Sequence, residues 1–246
     1  MHTARRAIRP ILAAALVLVG LAGALQATGT LPFSTWRAAA VTTAVPGPAV
    51  DEPRAPGAQD RTAVLAGGCF WGVQGVFQHV TGVREAESGY AGGAASTADY
   101  ETVSTGGTGH AESVRITYDP GQITFGELLR IYFTVVADPT QLNRQGPDEG
   151  SQYRSVIFAQ NPDQRRIALA YIDQLNRGGV FAAPIVTTVA PPSPFYPAET
   201  YHQNFLAANP DDAYIARFDQ PKLDALARLF PDRYRAQPIL VPVADN

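Results

Sequence analysis

A single cysteine, Cys69, is the residue of this 246-residue chain best suited to covalent chemistry. It follows Gly67 and Gly68 and is followed at once by Phe70 and Trp71. A free cysteine is most often a small buried hydrophobic residue, and in isolation Cys69 would be interpreted that way. However, the apolar positions after it recur at helical spacing, which places Cys69 at a helix N-terminus, where unpaired N–H groups and the helix dipole stabilise a thiolate. The sequence therefore predicts a nucleophile with a lowered pKa.

Metal chemistry and nucleic-acid binding have no comparable support. The four histidines, His2, His79, His110 and His202, lack the paired spacing and the companion cysteines of a zinc or copper site. A formal net charge of -3 and a pI near 5.8 give no basic surface for nucleic acid. We therefore predict no metal, no cofactor and no nucleic-acid partner.

The elements that position Cys69 follow from hydrophobic periodicity and turn residues. Apolar runs predict strands at 62–66, 83–89, 111–118, 155–159 and 185–189, with helices over 70–77, 124–133 and 161–175. Thr124 and Glu127 have capping-box spacing at the start of the second helix. The order of these elements matches the split β-α-β pattern of ferredoxin-like sheets. We predict an α+β fold with a two-layer core, helices on one face, and an irregular C-terminal extension with a closing helix near 222–230.

The N-terminal part of the chain has a different composition. Arg5, Arg6 and Arg9 precede an apolar run over 11–25, which is typical of a secretory signal. We therefore divide the chain into three predicted parts. These are a signal peptide or membrane anchor (1–27), a flexible Ala/Pro-rich linker (28–60), and one globular domain (61–246) whose last part, 211–246, is the C-terminal extension. We expect an exported protein, periplasmic or anchored on the outer side of the cytoplasmic membrane, that contacts the membrane only through an uncleaved N-terminal segment.

The sequence around Cys69 resembles the active-site signature of the A-class peptide methionine sulfoxide reductases. The likeness extends over residues 61–209 through many short segments in the same order. These are GCFWG at 68–72, GYAGG at 89–93, YETV at 100–103, TGHAE at 108–112, YDP at 118–120, DPT at 138–140, QGPD at 145–148, SQYRS at 151–155, FYPAE at 195–199 and YHQ at 201–203.

The resemblance implies an activity and a role for each matching residue. The reaction would return methionine-(S)-sulfoxide, in proteins or as the free amino acid, to methionine through a cysteine sulfenic acid on Cys69. Glu112 matches the acid that protonates the sulfoxide oxygen. Tyr100 and Tyr153 match hydroxyls that hydrogen-bond this oxygen, and Asp148 matches a residue that organises the pocket.

The same resemblance assigns Phe70 and Trp71 to an apolar wall for the S-methyl group of the substrate. Two positions depart from the family pattern: Ala137 replaces a frequent histidine, and Ser104 stands where some members have a second cysteine. Because this chain has one cysteine, the reductant must be an external thiol, either a thioredoxin-like protein or a small thiol. We expect the protein to act as a monomer.

Two other functions use the same residues. One is a protein that binds oxidised or methionine-rich segments without turnover, although binding alone needs neither Cys69 nor Glu112. The other is a thiol peroxidase or thiol-disulfide enzyme, which would not need the wall of Phe70 and Trp71 or the paired tyrosines. Formation of methionine from its sulfoxide with dithiothreitol distinguishes the three.

Overall fold

A mixed six-stranded sheet forms the centre of the computed structural model, which describes residues 42–242. The strands are β1 Arg61–Ala66, β2 Val83–Ala91, β3 Ala111–Tyr118, β4 Arg144–Gln145, β5 Asp148–Glu149, β6 Val156–Phe158, β7 Thr188–Ala190 and β8 Phe195–Pro197. The helices are α1 Phe70–Gln78, α2 Tyr100–Ser104, α3 Phe125–Ile131, α4 Pro162–Arg177, α5 Phe205–Ala208 and α6 Gln220–Leu229. Two π-helical turns, Tyr132–Val136 and Ile215–Asp219, follow α3 and precede α6.

The sheet has the predicted split β-α-β arrangement. Its strand order is β7-β6-β1-β3-β2-β8, and β3 lies between β1 and β2, antiparallel to both. The strands β1 and β2 are therefore parallel to each other and are connected through α1. The strand β6 pairs antiparallel with β1 and parallel with β7, while β4 and β5 form a separate two-stranded ribbon. The predicted α+β class is confirmed.

The larger hydrophobic core fills the space between the sheet and its helices. On β3 the alternate residues Val114, Ile116 and Tyr118 are fully buried, which agrees with the alternation in the sequence. The helix α1 buries Val73 and Phe77 against the same core. A smaller cluster covers the opposite face of the sheet. It comprises Val64, Ala66, Ala91, Ala111, Val156 and Phe158.

The N-terminus of α3 has the predicted capping box, in which Thr124 and Glu127 bond each other's backbone N–H groups. Acidic residues from outside the helix satisfy two more N–H groups: Phe125 donates to Glu52 and Gly126 donates to Asp51, each over 2.9 Å. These contacts supply hydrogen-bond acceptors for N–H groups in the first turn of the helix, which have no partner within the helix itself.

Residues 42–60 belong to the segment predicted to be a flexible linker, but they lie against the domain. Val45 is buried and its N–H donates to Thr134 Oγ1 over 3.2 Å. The Tyr171 hydroxyl donates to the Pro46 carbonyl over 2.5 Å. The prolines prevent regular structure here, yet side chains of the domain satisfy the backbone, so for residues 42–60 the prediction of flexibility is corrected.

The predicted signal or anchor, 1–27, and the first part of the predicted linker lie outside the described residues. Within 42–242, no helix has the length and apolar character needed to cross a membrane.

Candidate active site

All of the predicted site residues line one cavity of about 180 Å³ together with Tyr214, a residue that the sequence did not single out. The lining comprises Cys69, Phe70, Trp71, Tyr100, Glu112, Asp148, Tyr153 and Tyr214. They come from the start of α1, from α2, from β3, from the region 148–153 and from the C-terminal part of the chain. The fold thus brings together residues separated by up to 145 positions, from Cys69 to Tyr214.

A tight turn presents Cys69 at the start of α1. Cys69 is the N-cap residue, and the preceding Gly68 has a φ of +94°, a conformation that residues with a side chain rarely adopt. A Cβ atom on Gly68 would lie 2.6 Å from Cβ of Gln145 in β4. The absence of a side chain at Gly68 therefore lets the β4–β5 ribbon approach the cysteine, and this ribbon carries Asp148.

The predicted decrease in the pKa of Cys69 is wrong. Burial raises the pKa of the Cys69 thiol well above its ordinary value, and the carboxyl groups of Glu112, Asp219 and Asp148 raise it further. The backbone N–H of Trp71 in the first turn of α1 has the opposite effect, but burial and the nearby Glu112 and Asp219 outweigh it. The helix N-terminus that the sequence indicated is present, and the acidic surroundings dominate.

Glu112 is a buried acid beside the cysteine. Its side chain lies on β3, is 3% exposed, and its Oε2 accepts a hydrogen bond of 2.9 Å from the Phe70 N–H. Burial raises the pKa of Glu112 to about 8, and the carboxyl groups of Asp148 and Asp219 contribute in the same direction. At neutral pH the carboxyl group is therefore mostly protonated. Because Oε2 accepts the Phe70 N–H, Oε1 is the oxygen available to donate the proton.

Tyr100 is positioned by the short helix α2, which is not among the helices predicted from the sequence. Asp99 caps this helix by accepting from the Thr102 N–H over 3.0 Å, and the Tyr100 N–H donates to Glu199 Oε1 over 2.9 Å. Asp99, a favoured N-cap residue type, was the available signal for the start of this helix. Burial raises the pKa of Tyr100, so its hydroxyl remains a proton donor at neutral pH.

Tyr153 lies in a 3-10 turn whose next residue, Arg154, fixes the turn against β3. The Arg154 guanidinium donates to the carbonyls of Gly109, His110 and Ser151 at 2.7 to 3.0 Å. Burial raises the pKa of Tyr153, and Glu112 is the next largest cause. Its hydroxyl is therefore a second neutral donor in the cavity.

Phe70 and Trp71 form an aromatic wall that is supported from the C-terminal side of the chain. Phe70 is buried against His202, with ring centroids 5.1 Å apart. The Trp71 ring stacks on Phe205 at 3.7 Å, and its Nε1–H donates to His202 Nδ1 over 3.1 Å. Tyr214 meets the edge of Trp71 at 6.0 Å. These contacts fix the indole ring at the N-terminus of α1.

Sequence reasoning missed three residues of the C-terminal part: Tyr214, Asp219 and Lys222. The Tyr214 hydroxyl donates to Asp148 Oδ2, and Lys222 Nζ bonds Asp219 Oδ1 over 2.9 Å. Burial raises the pKa of Asp148, while the Tyr214 hydrogen bond and Lys222 lower it. Lys222 at the start of a predicted helix resembled an ordinary exposed charge, so its sequence position carried no signal of this role.

The two departures from the family pattern are accommodated locally. Ala137 is buried, and the adjoining loop is held instead by Gln145, whose Oε1 accepts from the Asp138 N–H over 3.0 Å and whose Nε2 donates to the Asp138 carbonyl over 2.7 Å. The Ser104 hydroxyl donates to the Tyr100 carbonyl over 2.6 Å at the end of α2.

The split β-α-β fold places one thiol beside a neutral carboxyl group and an aromatic wall, an arrangement that fits an oxidoreductase. The family model of peptide methionine sulfoxide reductases matches residues 61–233. The chain is 59% identical to peptide methionine sulfoxide reductase MsrA 2 of Mesorhizobium japonicum, over 80% of this chain and 100% of that protein. It is 51% identical to MsrA 2 of Synechocystis sp., over 71% of this chain and 82% of that protein.

Solved structures agree with these sequence comparisons. Reduced Mxr1 from Saccharomyces cerevisiae matches with a TM-score of 0.55 and 34% identity, over 65% of this chain and 90% of that one. Methionine sulfoxide reductase A of Corynebacterium diphtheriae matches with a TM-score of 0.52 and 33% identity, over 68% and 87%. The chain belongs to the peptide methionine sulfoxide reductase family. It is an MsrA enzyme and reduces methionine sulfoxide.

Proposed function

We propose that Cys69 is the nucleophile and Glu112 the acid of this reduction. The thiolate attacks the sulfoxide sulfur while Glu112 transfers a proton from Oε1 to the sulfoxide oxygen. The attack forms a bond between the cysteine Sγ and the substrate sulfur; the hydroxyl group then passes to Sγ as this bond and the sulfur–oxygen bond of the substrate both break, which leaves a sulfenic acid on Cys69 and releases methionine. The cysteine loses two electrons and the substrate gains them. The observation that carries this proposal is a buried carboxyl group, neutral at pH 7, in the same cavity as the thiol.

The other lining residues fit this assignment. The neutral hydroxyls of Tyr100 and Tyr153 hydrogen-bond the sulfoxide oxygen, Phe70 and Trp71 receive the methyl group, and Asp148 orders the pocket through Tyr214. A cavity of about 180 Å³ is smaller than the roughly 300–1,000 Å³ of drug-sized ligand sites, which favours one side chain as the bound group. Free methionine sulfoxide and oxidised protein side chains are both substrates of that size, so the enzyme repairs oxidative damage.

The pocket is chiral, and we assign it to the S epimer. Polar groups surround the predicted oxygen position and aromatic rings surround the predicted methyl position, so the mirror-image sulfur would exchange these two environments. Racemic methionine sulfoxide supplied with dithiothreitol should lose its S epimer in chiral chromatography, while the R epimer persists and Cys69→Ser consumes neither. Equal loss of both epimers would contradict the assignment.

Regeneration of Cys69 uses an external thiol of the thioredoxin type or a small thiol. The sulfenic acid reacts with one thiol to give a mixed disulfide and water, and a second thiol releases the enzyme. In a single turnover without reductant, one equivalent of sulfoxide should give one equivalent of methionine and one dimedone-reactive cysteine by mass spectrometry. An unmodified thiol after a full equivalent of methionine has formed would mean that the electrons came from elsewhere.

We also propose that the enzyme acts outside the cytoplasm. The support is the basic flank and apolar run of residues 1–27 in the sequence. Intact mass of the protein recovered from the envelope fraction distinguishes a cleaved signal from a retained anchor, and recovery of the full-length protein only from the soluble cytoplasmic fraction would contradict export.

A further inference from the structure

The C-terminal part of the chain places an ion pair against the helix that begins at Cys69. Asp219 precedes α6 and is fully buried, and Lys222 lies one turn further along. Lys222 Nζ bonds Asp219 Oδ1 over 2.9 Å, whereas Asp219 Oδ2 has no hydrogen-bond partner. A buried carboxylate with an unpaired oxygen is costly, which indicates a purpose beyond packing.

Gly72, in the first turn of α1, is the point of contact. A Cβ atom added there would lie 2.1 Å from Asp219 Oδ1 and 2.9 Å from Lys222 Nζ. Only glycine leaves room for these two charged groups at the surface of the helix. Gly72 is three residues after Cys69, so the ion pair lies beside the turn from which the nucleophile projects.

Charged and titratable groups from several elements act on this turn. The acids are Glu112 of β3, Asp148 of β5 and Asp219, and each of them opposes ionisation of Cys69. The phenols of Tyr100, Tyr153 and Tyr214 complete the lining. Lys222 interacts electrostatically with Cys69 and Asp148 as well as with Asp219, and it supplies positive charge among these acidic residues.

We propose that Lys222 is a positioning residue for Cys69, because its ammonium group, held by Asp219 against Gly72, stabilises the thiolate that the surrounding acids disfavour. This inference rests on the proposed role of Cys69 as the nucleophile. It gives the segment Ile215–Asp219 and the start of α6 a part in the chemistry. It also explains why Asp219 is buried beside a glycine and holds the partly exposed Lys222 at the same helix turn.

The test is the pH dependence of Cys69 alkylation by iodoacetamide, which needs no sulfoxide. In Lys222→Met we expect the midpoint to rise by about one unit, so that alkylation at a pH below both midpoints is about tenfold slower. In Asp219→Asn an anion is lost while the amide oxygen still accepts from Lys222, so the midpoint should fall. Lys222→Arg should restore most of the wild-type profile.

Arg177→Met is the matched control, because Arg177 pairs with Asp173 on the exposed side of α4. This variant removes a paired cation that does not line the cavity, so the pH profile of Cys69 alkylation should be unchanged. An unshifted midpoint in Lys222→Met, or a rise in both Lys222→Met and Asp219→Asn, would overturn the inference, since a general loosening moves both variants the same way. Circular dichroism identifies an unfolded variant, in which case Asp219→Asn and Lys222→Arg decide.

The same experiment separates this inference from the proposed function. A wild-type protein that alkylates normally but does not oxidise Cys69 with sulfoxide would refute the assigned nucleophile. A wild-type protein that forms the sulfenic acid, together with a Lys222→Met variant of unchanged midpoint, would refute only the role of Lys222.

Discussion

The backbone N–H of Phe70 donates to Oε2 of Glu112 over 2.9 Å, so the buried acid is fixed to the residue that follows Cys69. The first turn of α1 therefore orients both groups that we propose to react. Cys69 projects from the turn, and one of the N–H groups without a partner inside the helix holds the Glu112 carboxyl group through Oε2, which leaves Oε1 available to donate a proton. Any movement of this turn changes the position of the thiol and of the acid together.

Glu112→Gln should slow sulfoxide reduction by roughly 10²- to 10⁴-fold, because the amide keeps the contact with Phe70 but donates no proton to an oxygen in the transition state. Cys69 should still react with iodoacetamide at pH 7, where the wild-type carboxyl group is mostly neutral. Glu101→Gln, which changes an exposed carboxyl group beside Tyr100, is the control. Normal sulfoxide kinetics in Glu112→Gln would show that Glu112 is not the acid.

The pH dependence follows from the same carboxyl group. Since the pKa of Glu112 is raised from its ordinary value to about 8, the group is protonated below that pH and loses its proton above it. Below about pH 8 the rate of sulfoxide reduction should rise with pH, because more Cys69 is ionised. Above about pH 8 the rate should level off, because the pKa of Cys69 is raised well above its ordinary value and the gain in thiolate is offset by the loss of protonated Glu112. Alkylation of Cys69 should continue to rise over the same range because it requires only the thiolate. A reduction rate that keeps increasing up to pH 9.5, or a levelling at about pH 8 that persists in Glu112→Gln, would refute this explanation.

Tyr100→Phe and Tyr153→Phe each remove one hydroxyl from the cavity lining. Each variant should lower kcat/KM about tenfold to hundredfold, which corresponds to a hydrogen bond to a group that gains charge, about 1.5–3 kcal/mol. The double variant tests whether both hydroxyls act on the same oxygen. Tyr234→Phe removes a hydroxyl outside the cavity and should leave kcat/KM unchanged. Two single variants with wild-type kcat/KM would exclude the tyrosines from the reaction.

Gly72→Ala should destabilise the protein, because the added Cβ meets Asp219 Oδ1 at 2.1 Å and the buried carboxylate has no room to move away. Overpacking of this kind costs about 1–3 kcal/mol of unfolding free energy. The matched variant is Gly107→Ala, where the nearest atom, Thr105 Oγ1, is 3.8 Å from the new methyl group. Denaturant titration of both variants measures the difference, and equal midpoints would mean that Asp219 does not press on α1.

Local patterns predicted the parts of this fold that depend on neighbours in sequence. The alternation along β3 and the capping box of Thr124 and Glu127 both reflect interactions within a few residues, and both are confirmed. The helix α2 was missed because it has only five residues and depends on Glu199, a partner 99 positions away. No periodicity reports such a contact.

The site shows the same division. The position of Cys69 at a helix start was predictable, since the glycines and the apolar spacing are local. The direction of the shift in the pKa of Cys69 was not predictable, because the acids that oppose ionisation come from β3, from β5 and from Asp219, near the end of the chain. Similarly, Tyr214 completes the cavity only because the C-terminal segment folds back onto α1.

The hydrogen bonds from α3 to Asp51 and Glu52 show that the folding unit starts earlier than the segment matched by the family model. The family match begins at residue 61, yet an enzyme shortened to that point would lack the acceptors for the N–H groups of Phe125 and Gly126 and would lose Val45 from the core. Loss of such caps typically costs about 0.5–2 kcal/mol. Proteolytic trimming that leaves a fully stable enzyme is therefore confined to the residues before Val45.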